Sequence, residues 1–272
     1  MIKGEGQNLV LIPGWKSDLE RMNDSIQMIS KYYRVHTLDL PGTGGTEGIK
    51  KFTIVEYAKF TAKWIKKLKI TDFIIGAVSM GGQILTNSFD SDYVKKNAKG
   101  VLLIFPMYGI NSLKMNKLSK TGLRIGTSLL WRRPFCHIND RIFRSKRIMR
   151  LIVKIFEQEK DLKTGDNLEH HVSHFKRFSA RVSMQSIHDA LKVHKTAGHY
   201  MIPALLIMAK DDPLIDFDIV MKGYKKVFPK LRAINLPGKI HSERRKVSPE
   251  AFEKIYSPVF RQTKRIFKWH QP

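Results

Sequence analysis

Short runs of consecutive apolar residues alternate with helical patterns along most of the chain, and this alternation leaves few folds open. Six runs predict strands, at residues 8–12, 33–40, 72–78, 100–105, 202–208 and 231–236. Apolar residues spaced three and four apart predict helices over 18–33, 53–68 and 248–267. Strands without polar alternation are buried on both faces, which is typical of parallel sheets. We therefore predict an α/β fold, with a mostly parallel central sheet and helices on both faces.

The alternation is interrupted between residues 105 and 202. This stretch shows helical periodicity and no clear strand. We interpret it as a helical lid inserted into the sheet domain. The predicted organisation is a core domain of residues 1–109 and 201–272, with an inserted helical cap at 110–200.

The third predicted strand runs into a turn with a candidate nucleophile. Residues 77–82 read Ala-Val-Ser-Met-Gly-Gly, and a helical pattern follows them. A sharp strand-to-helix turn strains its central residue and leaves space only for small neighbours. Such a turn holds the hydroxyl of Ser79 at a helix N-terminus, where developing negative charge is favoured. The pattern indicates a serine hydrolase.

Two later strands end close to the residues that a serine nucleophile requires. Asp211 and Asp212 follow the fifth predicted strand, and His241 lies in the loop after the sixth. Because parallel strands end at one edge of the sheet, we expect these side chains beside Ser79. The chain order serine, aspartate, histidine suits a triad on this type of fold.

Five segments together resemble the α/β-hydrolase superfamily. They are the oxyanion loop at 11–15, the Asp-Leu-Pro-Gly-Thr-Gly-Gly-Thr turn at 39–46, the nucleophile elbow at 77–82, the acid loop at 209–216 and the histidine loop at 238–241. The resemblance covers nearly the whole chain and implies the α/β-hydrolase fold with a helical cap insertion. It departs from the family pattern at Ala77, which replaces a glycine, and at Pro13, where many members have histidine. The histidine loop also reads Gly-Lys-Ile-His instead of Gly-His.

Carried over by residue, the resemblance implies a catalytic triad. Ser79 would be the nucleophile and His241 the general base. The family spacing counted from Ala209 points to Asp212 as the acid, with Asp211 as the alternative.

The resemblance also implies an oxyanion hole, formed by the backbone N–H groups of Trp15 and Met80. The expected activity is hydrolysis of carboxylic esters through an acyl-enzyme intermediate, without metal or organic cofactor. The apolar residues of the cap favour an ester with an apolar acyl group, so the expected partner is a small-molecule ester substrate.

The cap is strongly basic. The chain carries 49 Lys and Arg against 24 Asp and Glu, a net charge of +25, and residues 114–154 contain twelve basic residues and one acidic residue. Over 143–156 the apolar residues fall at near-helical spacing opposite the basic ones. The alternatives are a cap that packs on the core with its basic face in water, a site for acidic substrate groups, or contact of 114–156 with an anionic membrane.

The alternative function is that of a non-catalytic or weakly active protein on the same fold, which binds an anionic membrane or another polyanion through its basic lid. Nucleic acid is not an expected partner, and the sequence leaves the oligomeric state open. The single cysteine, Cys136, and the absence of an apolar signal in residues 1–6 predict a cytoplasmic protein, with peripheral membrane contact as an option.

Overall fold

The computed structural model describes residues 1–156, 165–175, 177–194, 198–238 and 249–267. The strands are β1 Ile2–Lys3, β2 Asn8–Ile12, β3 Arg34–Thr37, β4 Phe73–Val78, β5 Ala98–Ile104, β6 Ala204–Met208 and β7 Leu231–Asn235. They form one sheet in the order β1-β3-β2-β4-β5-β6-β7. Only β1 runs antiparallel to its neighbour, and the other pairs are parallel. The middle strands β4, β5 and β6 are almost wholly buried, as continuous apolar runs predict.

Helices cover both faces of this sheet and fill the interval between β5 and β6. They are α1 Asn23–Ile29, α2 Ile54–Leu68, α3 Gly81–Ser88, α4 Asp92–Asn97, α5 Lys117–Leu130, α6 Phe135–Arg144, α7 Lys146–Phe156, α8 Gly165–Phe175, α9 Ala180–Ala190, α10 Phe217–Lys225 and α11 Pro249–Ile266. In the part of the chain described, no helix is both long and apolar enough to cross a bilayer.

The predicted fold class is confirmed, with three local differences. The strand β1 was not predicted, because two exposed residues give no apolar run. The helix predicted over 18–33 is shorter, since Asp18 accepts a hydrogen bond from the backbone N–H of Arg21 and holds a turn ahead of α1. The helical pattern over 143–156 is divided between α6 and α7, because Ser145 has an extended ψ of 105°.

The helix α9 joins the cap region to the core through hydrogen bonds that are buried or partly buried. Ser183 O accepts from Trp15 Nε1 at 2.8 Å, and Gln185 Oε1 accepts from the Phe52 N–H at 3.2 Å. Asp189 Oδ2 accepts from the Ile54 N–H at 2.8 Å, and Ala190 O accepts from Gln83 Nε2 at 2.7 Å. The chain enters and leaves the cap region side by side, because the Ile110 N–H donates to Leu191 O at 2.8 Å. The domain boundaries at 109/110 and 200/201 stay a prediction.

Asp189 is the charged group of this junction. Burial by itself raises the pKa of its carboxyl, but hydrogen bonds from His194, the Ile54 N–H and Lys192 outweigh burial and lower the pKa to about 2. His194 Nε2 lies 3.1 Å from Asp189 Oδ2, and this contact raises the pKa of His194. The carboxylate also caps α2, because Ile54 is the first residue of that helix.

We predict that Asp189→Ala lowers the free energy of unfolding by about 2–3 kcal/mol near pH 7, because the Ile54 N–H is left buried without an acceptor. The folded-state pKa of about 2 lies below the ordinary 3.8. The contribution of the carboxylate is therefore complete above pH 3.8 and is lost as the pH falls towards 2. Urea unfolding of wild type and of Asp189→Ala at pH values from 7 to 2 gives the difference between their unfolding free energies, which should shrink as the pH falls.

Asp92→Ala is the matched control, because that side chain is 99% exposed and pairs with Lys95 on the surface. We expect it to change the unfolding free energy by less than about 1 kcal/mol. Equal losses at the two positions would remove the special role of Asp189.

Candidate active site

Ser79 stands at a strained turn between β4 and α3. Its φ of +50° lies in the left-handed region, which non-glycine residues adopt at a cost. Three backbone hydrogen bonds hold this conformation: the Ser79 N–H donates to Ile104 O at 3.0 Å, and Ser79 O accepts from Gly82 and Met107 at 3.0 and 3.1 Å. This is the backbone geometry that the elbow pattern predicts.

The glycines around this turn allow backbone segments to touch. A Cβ on Gly81 would lie 2.7 Å from Pro13 O and 2.9 Å from Ile12 O, both rigid backbone atoms. A Cβ on Gly14 would lie 3.2 Å from Ser79 Cβ. The oxyanion loop and the elbow therefore pack against each other with no room for a side chain.

Tyr224 supports the elbow from α10 and was not predicted from the sequence. Its hydroxyl donates to Met107 O at 2.9 Å, and a Cβ on Gly82 would lie 2.5 Å from that hydroxyl. Burial raises the pKa of Tyr224 well above its usual value, so the hydroxyl keeps its proton and remains a donor. The sequence carries no signal for this contact, because it depends on the packing of distant segments.

The expected oxyanion hole consists of two backbone N–H groups, those of Trp15 and Met80. In the described part of the chain, neither the Trp15 N–H nor the Met80 N–H donates a hydrogen bond. The indole of Trp15 is fixed separately, by the hydrogen bond to Ser183 O. The two amides belong to the loop and turn that meet at Gly14, so both are available to an oxygen bound there.

Asp39 holds the segment that follows the oxyanion loop. Its Oδ1 accepts from the Leu19 N–H at 2.8 Å, and its Oδ2 accepts from the Gly45 N–H at 3.0 Å. The turn at 39–46 thus ties the strand end of β3 to the segment that follows the oxyanion loop. The sequence pattern located this turn, and the structure gives it a positioning role.

The two aspartates of the acid loop after β6 differ in burial. Asp212 is fully buried, and its Oδ1 accepts from the N–H groups of Leu214 and Ile215, both at 2.8 Å. Lys114 Nζ donates to the backbone oxygen of Asp212 at 2.8 Å. Asp211 is exposed. A triad acid must be held rigidly beneath its histidine, and this description suits Asp212.

His241 lies outside the described residues, so its position and role stay predictions. The start of its loop is described: the Leu236 N–H donates to Met208 O at 3.2 Å, and Gly238 has a φ of +87°. The loop therefore begins directly beside the end of β6 and the acid loop.

A small cavity lies between the oxyanion loop, the elbow and the cap region, and we call it the loop–cap cavity. Its lining residues are Gly14, Trp15, Lys16, Leu40, Thr43, Tyr57, Met80, Phe178, Val182, Ser183 and Ser186. No acidic residue is among these described lining residues. The described residues also contain no group of three His, Cys, Asp or Glu side chains that could hold a metal ion.

Comparison with known proteins places this geometry in a family. The Hydrolase_4 family model, described as serine aminopeptidase, S33, matches residues 6–242. The pimeloyl-[acyl-carrier protein] methyl ester esterase of Vibrio cholerae serotype O1 is 31% identical over 105 residues, which are 35% of this chain and 36% of that protein. Its counterpart in Photobacterium profundum is 31% identical over 86 residues, 32% of each chain. The chain thus spans about a third of the length of these curated relatives.

Solved structures match over nearly the whole chain at low identity. A hydrolase from Oleispira antarctica has a TM-score of 0.70 at 13% identity, covering 97% of this chain and 93% of that one. An epoxide hydrolase from Bacillus megaterium has a TM-score of 0.68 at 14% identity, covering 98% and 95%. The enol-lactonase from Burkholderia xenovorans LB400 has a TM-score of 0.67 at 16% identity, covering 98% and 94%. These likenesses show the α/β-hydrolase fold.

We predict that Gly81→Ala destabilises the protein by about 1–3 kcal/mol, because the new Cβ meets the rigid carbonyls of the oxyanion loop. Gly122→Ala is the matched control, since Gly122 lies within α5 and a Cβ there meets nothing within 4 Å. That control should gain about 0.5–1 kcal/mol from helix propensity alone. Chemical denaturation of the two variants shows whether their unfolding free energies change in opposite directions. An unchanged unfolding free energy for Gly81→Ala would contradict the packing described.

Proposed function

Because the chain belongs to the Hydrolase_4 family of serine aminopeptidase S33-type α/β hydrolases, we propose that it hydrolyses carboxylic esters with Ser79 as the nucleophile. His241 is the proposed general base, and Asp212 is the proposed acid that orients it. The backbone N–H groups of Trp15 and Met80 are the proposed oxyanion hole.

The left-handed backbone of Ser79 is the observation that carries this proposal. A serine at φ +50° is costly, and such strain persists where surrounding structure imposes it, as at a nucleophile elbow. Two backbone N–H groups without hydrogen-bond partners in the described region add support. One belongs to Met80, the residue after Ser79, and the other to Trp15, which follows the Gly14 that packs against Ser79. The buried, doubly hydrogen-bonded Asp212 adds further support.

In the proposed reaction, Ser79 Oγ attacks the ester carbonyl while His241 accepts the hydroxyl proton. The carbonyl oxygen becomes an oxyanion, which the Trp15 and Met80 N–H groups stabilise. Collapse of this intermediate breaks the bond to the alcohol, which leaves with the proton from His241. Water then attacks the acyl-enzyme in the same manner and releases the acid.

The lining of the loop–cap cavity suits an ester with an apolar acyl group. Leu40, Phe178 and Val182 supply apolar surface that suits an acyl chain. The similarity to methyl ester esterases agrees with this substrate class.

We predict that Ser79→Ala loses at least about a thousandfold in kcat on p-nitrophenyl esters from C2 to C16. Asp212→Asn should lose about a thousandfold or more, since the histidine is then held in the wrong tautomer. Initial rates for each chain length provide the measurement, and their maximum gives the acyl length that the site accepts.

Asp211→Asn is the matched control for the acid, because it is the exposed neighbour of Asp212. We expect the rate of this variant to stay within about threefold of the wild-type rate, as is usual for surface substitutions. The reverse pattern would transfer the acid role to Asp211. Equal rates in wild type and Ser79→Ala would remove Ser79 as nucleophile.

The outer surface of the cap region supports a second, separate proposal. Nine of the fifteen large apolar side chains exposed in the described residues lie between 115 and 155. On α5 they are Leu118, Ile125 and Leu129, and on α7 they are Ile148, Leu151 and Ile155. Each set follows helical spacing and forms one stripe on its helix. We call these two stripes the cap face.

We propose that the cap face binds the surface of an anionic membrane. Each stripe is flanked by basic residues, among them Lys117, Lys120 and Arg124 on α5 and Arg147 and Lys154 on α7. A second copy of the chain would bring two positive surfaces together, whereas anionic lipid headgroups neutralise this charge.

We predict that the protein cosediments with vesicles of phosphatidylglycerol and phosphatidylcholine, and that Leu151→Ser combined with Ile155→Ser weakens binding at least about tenfold. Val55→Ser combined with Ile219→Ser is the matched control, because these exposed apolar residues lie outside the cap region. Binding should fall as salt rises. Equal binding to phosphatidylcholine alone, or no effect of the cap variant, would contradict the proposal.

A further inference from the structure

The segment that leads into the cap region is paired with the acid loop. Residues 112–114 run antiparallel to residues 214–216, with a β-bridge between Leu113 and Ile215. Backbone hydrogen bonds of 2.7 and 2.8 Å flank this bridge on either side. The proposed acid, Asp212, lies two residues before the paired stretch. We call residues 112–114 the entry segment.

The first residue of the entry segment is fixed to the end of the core. Ser112 is fully buried, and its Oγ donates to Gly109 O at 2.8 Å and accepts from the Tyr108 N–H at 3.0 Å. Two residues earlier, the Ile110 N–H donates to Leu191 O. The entry segment is therefore a firmly held edge on which the acid loop is built.

The side chain of Lys114 adds a contact to this pairing. Lys114 is exposed, yet its Nζ donates to the backbone oxygen of Asp212 at 2.8 Å. Holding so long a side chain in one conformation costs rotamer entropy, which a charge-assisted hydrogen bond offsets. The ammonium thus anchors the backbone of the proposed acid to the entry segment.

The anchored backbone determines where the carboxylate of Asp212 points. Its Oδ1 accepts from the N–H groups of Leu214 and Ile215, both at 2.8 Å. These two residues are the ones that pair with the entry segment. The carboxylate, the two amides and the Asp212 carbonyl therefore form one unit, whose position is set by contacts with residues 112–114.

We propose that Lys114 is a positioning residue for the proposed hydrolysis. Its ammonium holds the Asp212 backbone, so that the carboxylate keeps the orientation that the general base requires. A misplacement of about 1 Å in a catalytic group can lower a rate about a hundredfold. This inference rests on the proposed function and adds a residue of the cap region to the machinery of that reaction.

The first test is Lys114→Met, which keeps the length of the side chain and removes the ammonium. We expect kcat on the best p-nitrophenyl ester to fall at least about tenfold, with KM within about twofold of wild type. The split arises because the acid acts in the chemical step and not in ground-state binding. An unchanged kcat, or a loss that lies mainly in KM, would overturn the inference.

Rebuilding the ammonium tests whether the charge itself is needed. Lys114→Cys can be alkylated at residue 114, because the native Cys136 is buried. Alkylation with 2-bromoethylamine restores an ammonium at the length of lysine, and kcat should return to within about threefold of wild type. Alkylation with iodoacetamide adds an uncharged amide and should leave kcat low. The same kcat after both treatments would overturn the inference.

A double variant separates positioning of the acid from a general loss of structure. In the Asp212→Asn background, Lys114→Met should lower kcat by less than about threefold, because no carboxylate remains to be positioned. An equal loss in both backgrounds would show that Lys114 acts independently of Asp212 and would overturn the inference.

Lys63→Met is the matched control, because Lys63 is an exposed lysine on α2. We expect this variant to keep the wild-type kcat and KM. A loss of kcat as large as that of Lys114→Met would overturn the assignment to Lys114.

Amide hydrogen exchange, followed by NMR, separates this inference from the proposed function. In Lys114→Met, the N–H groups of Leu214 and Ile215 should exchange at least about tenfold faster than in wild type, whether or not an ester is hydrolysed. The amides of β5 are the internal control and should keep their wild-type exchange rates.

Unchanged exchange at Leu214 and Ile215 would overturn the inference, while ester turnover lost in Ser79→Ala would still uphold the hydrolase. Faster exchange at these two amides, together with no ester turnover by wild type, would contradict the proposed function and uphold the anchoring of Asp212 by Lys114.

Discussion

The left-handed backbone of Ser79 is the constraint around which the neighbouring elements are arranged. The conformation costs about 1–3 kcal/mol, and the contacts that hold it come from several parts of the chain. The end of β5 contributes Ile104 O, the following loop contributes the Met107 N–H, and α10 contributes the Tyr224 hydroxyl behind that loop. Glycine at 81 lets the oxyanion loop close against the turn. Removing any one contact loosens the turn that presents the serine, so the sheet, the loop and the helix act as one support.

A second arrangement follows from the position of α9. Hydrogen bonds from the oxyanion loop, from the start of α2 and from α3 reach this single helix. It also contributes Val182, Ser183 and Ser186 to the wall of the loop–cap cavity. One helix thus connects the proposed oxyanion hole to the surface that a substrate would contact. Substitutions in α9 are expected to change substrate preference through the same residues that hold the cap region on the core.

Much of this architecture could be predicted from the sequence, because buried parallel strands leave continuous apolar runs and their ends mark the edge where chemistry occurs. The positions of Ser79, Asp212 and the turn at 39–46 follow from that logic. The short strand β1 could not be predicted, since exposed edge residues need no apolar pattern. The hydrogen bond of Tyr224 and the burial of Lys16 could not be predicted either, because each depends on contact between residues far apart in the chain. In the sequence Lys16 is indistinguishable from a surface lysine, whereas in the folded chain its Nζ lies against the ring of Phe143.

The hydrogen bond from Ile110 to Leu191 bears on how the chain folds. The strands β5 and β6 are hydrogen-bonded neighbours, although the whole cap region lies between them. Joining strands across so long an insertion is slow for an unstructured chain, because loop closure must precede the stabilising contacts. The hydrogen bond closes the insertion at its base, so a cap region that folds early brings the two strands together. The cap region then serves as a folded spacer that shortens the effective distance between the halves of the core.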